Sequence, residues 1–330
     1  MKKAGYILFL FGICLLVAIL IYFGISDVFK ALETAGFGLF LVAASHVAPL
    51  FLDSVAWQLL FTGKKVPGLL LLMKVRWVGE SINSLLPAAQ IGGDLVRARM
   101  LAVRGYPVSD AGASVLVEIT IALITQLIFS VVGICGLVYL GNKGLVKQAV
   151  LAVAALSLGA MGFFLVQRRG MWTRLLSLMS VILSKDRIEG LAPDAKALDE
   201  AISTLYQNRS VILKSSVFRL LGWFSGAIEV WLALKFLGAH TGVFEAILLE
   251  SIGQVIRGIA FLIPGAFGIQ EGGFVILGKL MGITPDIALG MSLAKRFREL
   301  VLGIPGIILW QIEEGRLMFV GNKAQRTKKE

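Results

Sequence analysis

Four charged residues lie together in the middle of an otherwise apolar stretch near the C-terminus. They are Lys295, Arg296, Arg298 and Glu299, and the stretch 287–310 carries no other charge. An arginine guanidinium binds a carboxylate or a phosphate through two parallel hydrogen bonds, and Glu299 can pair with Arg296 or Lys295 along a helix. A helix end whose long side chains reach water is the alternative. Because apolar residues flank the cluster on both sides, the pattern favours a buried site for a charged group.

Two interrupted apolar segments, one in each half of the chain, carry further charges on one shared plan. They read LLPAAQIGGDLVRARMLAVRG over residues 85–105 and LIPGAFGIQEGGFVILGKLMG over residues 262–282. The second begins 177 residues after the first, and we call this displacement the repeat shift. In each segment a proline is followed seven residues later by a carboxylate, Asp94 in the first and Glu271 in the second. Both carboxylates are predicted near the start of a second half-helix, where free N–H groups stabilise negative charge. Simple N-capping is the alternative for both.

The residues just before the two breaks are also polar. Glu80 and Asn83 precede the first break, and Gln254 and Arg257 precede the second. The repeat shift places Glu80 on Arg257, so these opposite charges can form a pair between related elements. Such a pair is either part of a binding site or a structural contact that holds the two breaks together, and the sequence leaves both open.

Acidic residues and a histidine in the other apolar stretches are weaker candidates. Glu118 and Glu229 can line a cavity or carry a proton, whereas His46, seven residues before Asp53 on one helix face, is interpreted as structural rather than as a proton relay. The predicted substrate-binding residues are Glu80, Asn83, Asp94, Arg97, Arg257, Gln270, Glu271, Arg296, Arg298 and Glu299. The predicted proton-coupling residues are Glu271, Asp94 and Glu118.

Several kinds of catalysis and cofactor binding lack their motifs. The sequence has no Walker A, G-x-S-x-G or HExxH motif, and its two histidines and two cysteines form no metal-ligand pattern. Cys14 and Cys135 lie in apolar stretches and are interpreted as small core residues. We therefore expect no metal, no cofactor and no enzymatic activity.

The elements that hold these residues are predicted to be membrane-spanning helices. Hydrophobic residues make up 57% of the 330 residues and charged residues only 16%, and several stretches exceed the roughly 20 apolar residues that cross a bilayer. The net charge is +11. Because the Lys and Arg lie mostly in short connections, they indicate loops on the cytoplasmic side rather than nucleic-acid binding.

The order of the apolar stretches predicts an all-α polytopic membrane protein built as an inverted repeat. Six full spans and two broken re-entrant hairpins are predicted, at 4–25, 37–61, hairpin 68–104, 108–140, 148–166, 211–237, hairpin 244–281 and 286–311. Residues 1–140 form the first repeat and residues 148–311 the second. With both termini in the cytoplasm the hairpins enter from opposite sides, and their tips meet near the midplane. Paired Gly/Pro interruptions of this kind point to a transporter binding site.

Three further stretches complete this plan. Residues 168–209 contain two amphipathic pieces, 171–183 and 193–207, with Pro193 in the first turn of the second. They are predicted to lie on the cytoplasmic surface of the membrane. Residues 312–330 form a basic cytoplasmic tail. The N-terminal stretch resembles a signal peptide, but its apolar run of about 20 residues predicts a retained span.

The two signature regions resemble those of a known family. VRWVGESINSLLPAAQIGGDLVRAR and IPGAFGIQEGGFVILGKLMGITPDIALGMSLAKRFREL are similar to the signatures of the lysylphosphatidylglycerol synthase transmembrane, or flippase-like, family. With HVAPLFLDSVAWQLLF upstream, the first resembles the branch associated with hopanoid biosynthesis (HpnL-type). The resemblance covers nearly the whole chain and implies a lipid translocator of the bacterial inner membrane. The soluble aminoacyl-transferase domain of the bifunctional synthases does not follow, so lysylation is not expected of this chain.

We expect a transporter that moves an amphiphilic lipid across that membrane, with a hopanoid or an anionic or aminoacylated phospholipid as the substrate. A non-transporting scaffold that recruits lipid-modifying enzymes through residues 168–209 is the alternative, and an integral-membrane lipid enzyme is a third. The expected partners are a membrane lipid and, for the scaffold, lipid-biosynthetic enzymes. No nucleic acid is expected, and the sequence leaves an oligomer open.

Overall fold

The structure is a computed structural model. It describes residues 33–63, 65–86, 91–179, 185–260, 263 and 266–326, and the side chains among them except those of 179, 185–190 and 315–326. The predicted first span, 4–25, lies outside the described residues, as do the two prolines of the interrupted segments, Pro87 and Pro264.

The described part of the chain consists of helices and their connections and contains no strand. Its helices are α1 Gly38–Ser45, α2 Val47–Gln58, α3 Leu69–Leu85, α4 Gly92–Ala102, α5 Val108–Tyr139, α6 Lys143–Arg168, α7 Met171–Met179, α8 Lys185–Gln207, α9 Arg209–Phe236, α10 Val243–Ile259, α11 Ile269–Leu280 and α12 Pro285–Arg326. This confirms the predicted all-α class.

Four of the helical stretches are long and apolar enough to cross a membrane. They are Gly38–Gln58, which joins α1 and α2, and the helices α5, α6 and α9. They coincide with four of the predicted spans, 37–61, 108–140, 148–166 and 211–237. The predicted span 286–311 lies inside α12, a single helix of 42 residues that carries the charged cluster near the middle of that span. The full count of spans stays a prediction.

The elements recur under the repeat shift. It brings Gly92, where α4 begins, onto Ile269, where α11 begins, and it brings Val108 at the start of α5 onto Pro285 at the start of α12. The first arms of the two interrupted segments, α3 and α10, correspond to within three residues. Each first arm packs against the long helix of the other unit, α3 on α12 and α10 on α5. The opposite orientation of the two units in a membrane stays a prediction.

These reciprocal contacts depend on pairs of glycines spaced three residues apart. A Cβ atom at Gly136 of α5 would lie 2.7 Å from Leu248 Cδ1 of α10, and one at Gly303 of α12 would lie 2.6 Å from Leu85 Cδ1 of α3. A Cβ atom at Gly133 or Gly306 would lie at least as close to the same partner helices. Small residues allow helix backbones to approach where the hydrophobic effect cannot drive packing.

Among the described residues, the buried apolar side chains form two cores. The first lies among α2, α3, α5 and α8 and includes Trp57, Leu72, Val75, Ile121 and Ile202. The second lies mainly among α9 to α12 and includes Val230, Leu249, Phe274, Leu289 and Met291. Each interrupted segment therefore has its own packed support.

The polar stretch 168–209 is part of the first core. The described part of the first predicted piece, 171–179, is helical, and so is the second piece. Helix α8 begins at Lys185, so Pro193 lies inside the helix and the prediction of a first-turn proline was wrong. Proline removes one intrahelical hydrogen bond, and the burial of Ile202 and Leu205 against the first core stabilises the helix despite that loss.

Candidate functional site

Glu118 of α5 is the centre of a buried group of ion pairs. Arg76 of α3 donates to its Oε1 at 2.5 Å, and Arg97 of α4 donates to its Oε2 at 3.0 Å. Because α3 and α4 are the two arms of the first interrupted segment, one carboxylate on α5 holds both arms. The side chains of Glu118, Arg76 and Arg97 are almost fully buried.

Charges from two further helices extend this group. Arg219 of α9 donates to Asp53 of α2, whose carboxylate lies 3.7 Å from Arg76 Nη1. Arg97 also bonds Asp94 at 2.9 Å, and its guanidinium stacks 4.2 Å from the centre of the Trp57 ring. We call the first cluster the set Asp53, Arg76, Glu80, Asp94, Arg97, Glu118 and Arg219.

Glu271 is the centre of a second group, at the start of α11. Its side chain is fully buried and accepts the backbone N–H of Gly268 at 2.6 Å and the Ser292 hydroxyl at 3.0 Å. Gly268 has φ +76°, a left-handed conformation that suits glycine at this turn. Arg296 of α12 adds a guanidinium contact to Glu271 at 3.1 Å.

Helix α12 connects Glu271 to acidic residues on two other helices. Glu299 accepts from Arg296 at 2.9 Å and from Arg257 of α10 at 2.6 Å. Arg298 forms an ion pair with Glu229 of α9 at 3.0 Å. We call the second cluster the set Glu229, Arg257, Glu271, Arg296, Arg298 and Glu299. Lys295 forms a separate buried pair with Glu250 at 2.5 Å.

His46 joins the two clusters. It lies at the break between α1 and α2, with Nε2 3.3 Å from Glu80 and Nδ1 3.4 Å from Glu229. Arg298 Nη1 lies 3.1 Å from Nδ1 and 3.2 Å from Nε2. The clusters and His46 therefore form one connected set of charged and titratable groups, which we call the charge network.

The charge network is open to its surroundings at a few places only. The most exposed side chains in it are Glu80, at 37%, Arg257, at 26%, and His46, at 21%, whereas Glu118 and Glu271 are inaccessible. Ionised groups at membrane depth cost several kcal/mol each unless they are paired. The pairing explains how the network persists, and the exposed members show where a ligand can reach it.

The structure places most of the predicted binding residues in the charge network. Two lie elsewhere: Asn83 accepts the backbone N–H of Gly93 at 2.8 Å, and the side-chain oxygen of the buried Gln270 has no hydrogen-bond partner among the described residues. The other eight are Glu80, Asp94, Arg97, Arg257, Glu271, Arg296, Arg298 and Glu299.

The predicted pair between Glu80 and Arg257 is wrong. Glu80 contacts His46 and lies 3.5 Å from Arg76, whereas Arg257 is bound by Glu299. Each residue pairs with charges on the helices that pack beside it. The repeat shift aligns positions in the sequence and carries no information about those helices.

Asp94 and Glu271 do occupy matched positions, each as the third residue of a half-helix. Glu271 bonds back to Gly268 and so caps α11 as well as binding Arg296. Asp94 binds Arg97 one turn along α4, and the side chain that accepts a backbone N–H at the start of α4 is Asn83. N-capping therefore describes Glu271 in part, and Asp94 acts as a partner of arginine.

Sequence reasoning missed three members of the buried charge: Arg76, Arg219 and Glu250. Arg76 lies four residues before Glu80, a helical spacing that pairs opposite charges, and this signal was available. Arg219 and Glu250 give no local signal, because their partners are 166 and 45 residues away along the chain. Among the described residues, no group of three or more His, Cys, Asp or Glu side chains is placed to hold a metal ion.

A third set of ion pairs lies at the far end of α12, outside the predicted span. Glu313 binds Lys74 of α3 and Arg104 after α4, and Glu314 binds Arg99 of α4 through two bonds of 2.9 and 3.1 Å. We call these contacts the terminal ion pairs. Partial burial opposes ionisation of Glu313, but hydrogen bonds from Lys74 and Arg104 outweigh it, and its pKa is lowered.

Comparison with known proteins agrees with this architecture. Residues 8–306 match the family described as the lysylphosphatidylglycerol synthase TM region. The chain belongs to this family. It is also similar to a UPF0104 membrane protein of Methanothermobacter thermautotrophicus, with 22% identity over 312 residues, 90% of this chain and 91% of the relative. No solved structure matches the chain. The protein is thus a multi-pass membrane protein of the lysylphosphatidylglycerol synthase TM family.

Proposed function

We propose that this protein moves an amphiphilic lipid across a membrane, with the headgroup passing the charge network while the tails stay in lipid. The observation that carries the proposal is the continuous, buried charge that both interrupted segments share. Family membership supports a role connected with lipids. The inner membrane of a bacterium, cytoplasmic termini, hairpins that enter from opposite sides and the hopanoid-associated branch are further parts of the proposal.

A non-transporting scaffold has no need of such a network. Ionisable groups inside membranes cost free energy and usually mark a path for a substrate or an ion. Replacing a buried ion pair by apolar residues of similar volume often stabilises a protein. A sequence selected only for membrane anchoring would therefore lose these groups, and their presence favours transport.

The accessible ends of the network supply the first contacts for a headgroup. Arg257, whose guanidinium is partly exposed, offers a cation for a phosphate or hydroxyl oxygen, and Glu80 offers a carboxylate. Deeper in the network, Arg296 and Arg298 take over the headgroup as their bonds with Glu271, Glu299 and Glu229 exchange. Rocking of the two repeats about the reciprocal helix contacts then exposes the site to either side.

The experiment is a lipid-movement assay with the purified chain in vesicles of phosphatidylethanolamine and phosphatidylglycerol. Acyl-labelled fluorescent lipids of each headgroup class are bleached from outside by dithionite, so that movement appears as loss of the protected fraction. We expect Glu271→Gln and Arg296→Ala to lose most of the movement seen with the natural chain. Rates equal to those of empty vesicles, or unchanged in both variants, contradict the proposal.

The matched controls are Glu200→Gln and Lys196→Ala. These residues form an exposed pair on α8, so one carboxylate and one cation are removed outside the charge network. Retention of movement in the controls, together with similar elution in size-exclusion chromatography for all variants, assigns the loss to the site. If instead the α8 controls lose cellular function and the network variants keep it, the scaffold is the better proposal.

A further inference from the structure

We propose that His46 binds and releases one proton in each transport cycle, so that movement of the lipid is coupled to a proton. This inference rests on the proposed function and adds its energy source. The proton is thereby assigned to His46, which the sequence pattern indicated to be structural. The residues predicted from the sequence to couple a proton were Glu271, Asp94 and Glu118.

The contacts of His46 require two incompatible hydrogen-bond patterns. The ionised carboxylates of Glu80 and Glu229 can only accept, so the ring nitrogens beside them must carry protons. Arg298 can only donate, so it needs a ring nitrogen that carries none. A neutral imidazole can accept a hydrogen bond from Arg298 and donate one to a single carboxylate. A protonated imidazole donates to both carboxylates and cannot accept from Arg298. The site therefore has two alternative states that differ by one proton.

The charges of the network also leave room for one proton. Its seven carboxylates are Asp53, Glu80, Asp94, Glu118, Glu229, Glu271 and Glu299. Its six guanidinium groups are Arg76, Arg97, Arg219, Arg257, Arg296 and Arg298. The network thus has one excess negative charge when His46 is neutral and none when His46 is protonated. The separate pair of Lys295 with Glu250 does not alter this balance.

Each helix packed around His46 presents charge that bears on it. Helix α3 contributes Glu80, helix α9 contributes Glu229 and helix α12 contributes Arg298. Behind them, Arg76 lies 3.5 Å from Glu80, and Glu299 lies 3.6 Å from Arg298. Helix α5 packs on α2, but its buried acid bonds the arginines of the first cluster instead.

The residues predicted to carry the proton are held differently. Glu118 accepts from two guanidinium groups, Glu271 accepts from a backbone N–H, a hydroxyl and a guanidinium, and Asp94 accepts from Arg97. Partners that only donate stabilise the ionised carboxylate. His46 has both kinds of partner, and histidine is the side chain that exchanges a proton near neutral pH.

The backbone at His46 is also suited to a coupling site. Pro49 has no N–H for the carbonyl of Ser45, and the helix divides into α1 and α2 at this point. The corresponding part of the second unit is the continuous helix α9. Discontinuous helices hold the coupling ions of other transporters.

Protonation of His46 is transmitted to the exposed cation of the second cluster. The protonated ring repels Arg298, which turns toward Glu299, its neighbour at 3.6 Å. Glu299 then shares its charge with one more guanidinium group, and its hold on Arg257 weakens. Arg257 is thereby released to bind the headgroup, so proton binding and lipid binding favour each other.

The test uses the full chain in the same vesicles, with a pH-sensitive dye trapped inside and one pH unit imposed across the membrane. For one proton per lipid, we expect the labelled lipid to accumulate in one leaflet by up to about tenfold, with matching movement of protons. We expect His46→Gln to lose both the accumulation of lipid and the movement of protons. The matched control is His240→Gln, which alters the other histidine, exposed between α9 and α10.

Different failures of this test have different meanings. Movement of lipid by the natural chain without accumulation, or accumulation that persists in His46→Gln, overturns proton coupling and leaves the proposed function standing. No movement by the natural chain overturns both.

A second measurement does not depend on the folding of His46→Gln. In the His240→Gln chain, labelled with ¹³C at histidine, a single imidazole signal remains and belongs to His46. This signal should titrate between about pH 4 and 9. A constant signal over that range overturns the proton site.

Discussion

The contact of α3 with α12 and the contact of α10 with α5 are built on the same plan but held by different forces. Both use paired glycines on the long helix. Only the α3–α12 contact ends in the terminal ion pairs, with Glu313 and Glu314 on the long helix. The repeat shift places Ser251, Met281 and Ile276 at the positions of Lys74, Arg104 and Arg99, and Gly136 and Leu137 at those of Glu313 and Glu314.

The two contacts therefore share close packing on glycines, which the repeat shift does not superimpose, and they do not share charge. Close packing of apolar side chains does not respond to salt, whereas exposed ion pairs are screened by it. A change of ionic conditions can therefore weaken the α3–α12 contact more than the α10–α5 contact. In the proposed transport cycle, such an inequality would favour one resting state over the other.

The largest effects are expected from filling the glycine contacts. Gly136→Leu and Gly303→Leu each place a side chain where the partner helix already lies, and overpacking costs about 1–3 kcal/mol or more. We expect the midpoint of thermal unfolding in detergent to fall in both variants by similar amounts. Gly159→Leu on α6, where a Cβ atom meets nothing within 4 Å, is the control. A lower unfolding midpoint in only one of the two variants would show that the two contacts are not built alike.

Removal of the terminal ion pairs should weaken only one contact. In Glu313→Gln with Glu314→Gln, we expect a loss of about 1 kcal/mol, since these pairs are partly exposed and screened. Amide hydrogen exchange should increase near Lys74 and stay unchanged in α10. High salt should have the same effect on the natural chain and none on the variant. Equal changes in both contacts would remove the proposed inequality.

Each contact also contains one side-chain hydrogen bond to a backbone carbonyl. Trp77 donates to Leu302 at 2.8 Å across α3–α12, and Gln126 donates to Gln254 at 3.0 Å across α5–α10. We expect Trp77→Phe and Gln126→Leu each to reduce the free energy of unfolding by about 1 kcal/mol. Denaturant unfolding measures this free energy, with Gln207→Leu, a change to an exposed side chain of α8, as the control. A much larger loss from one variant would mean that its bond has a further role.

The smallest effect is expected from pH. The pKa of Glu313 is lowered from its ordinary value of 4.5, so its contribution is complete above that value and is lost as pH falls through the lowered pKa of the folded protein. The pKa of Glu314 is lowered through its bonds with Arg99. Hydrogen exchange of α3 should therefore increase below about pH 4.5 in the natural chain. The double glutamine variant should show no such increase, and an increase there would assign the effect to other groups.

Much of the fold was predictable because its causes are local. Apolar runs and Gly/Pro interruptions specify where helices form and break, and the match of Asp94 with Glu271 followed from spacing alone. The prediction failed where a local rule met a tertiary contact. Pro193 was expected to start a helix, but the packing of α8 against the first core maintains the helix on both sides of it.

The sequence by itself determined that this chain is helical, that it is embedded in a membrane and that two interrupted segments recur at one interval, because composition and periodicity act over a few turns. Only the tertiary structure decided which charges meet. Arg219 reaches Asp53, and His46 joins Glu80 to Glu229, through helices far apart in the chain. Ion pairing depends on distances of a few ångströms, and those distances are fixed by the packing of helices and not by the order of residues.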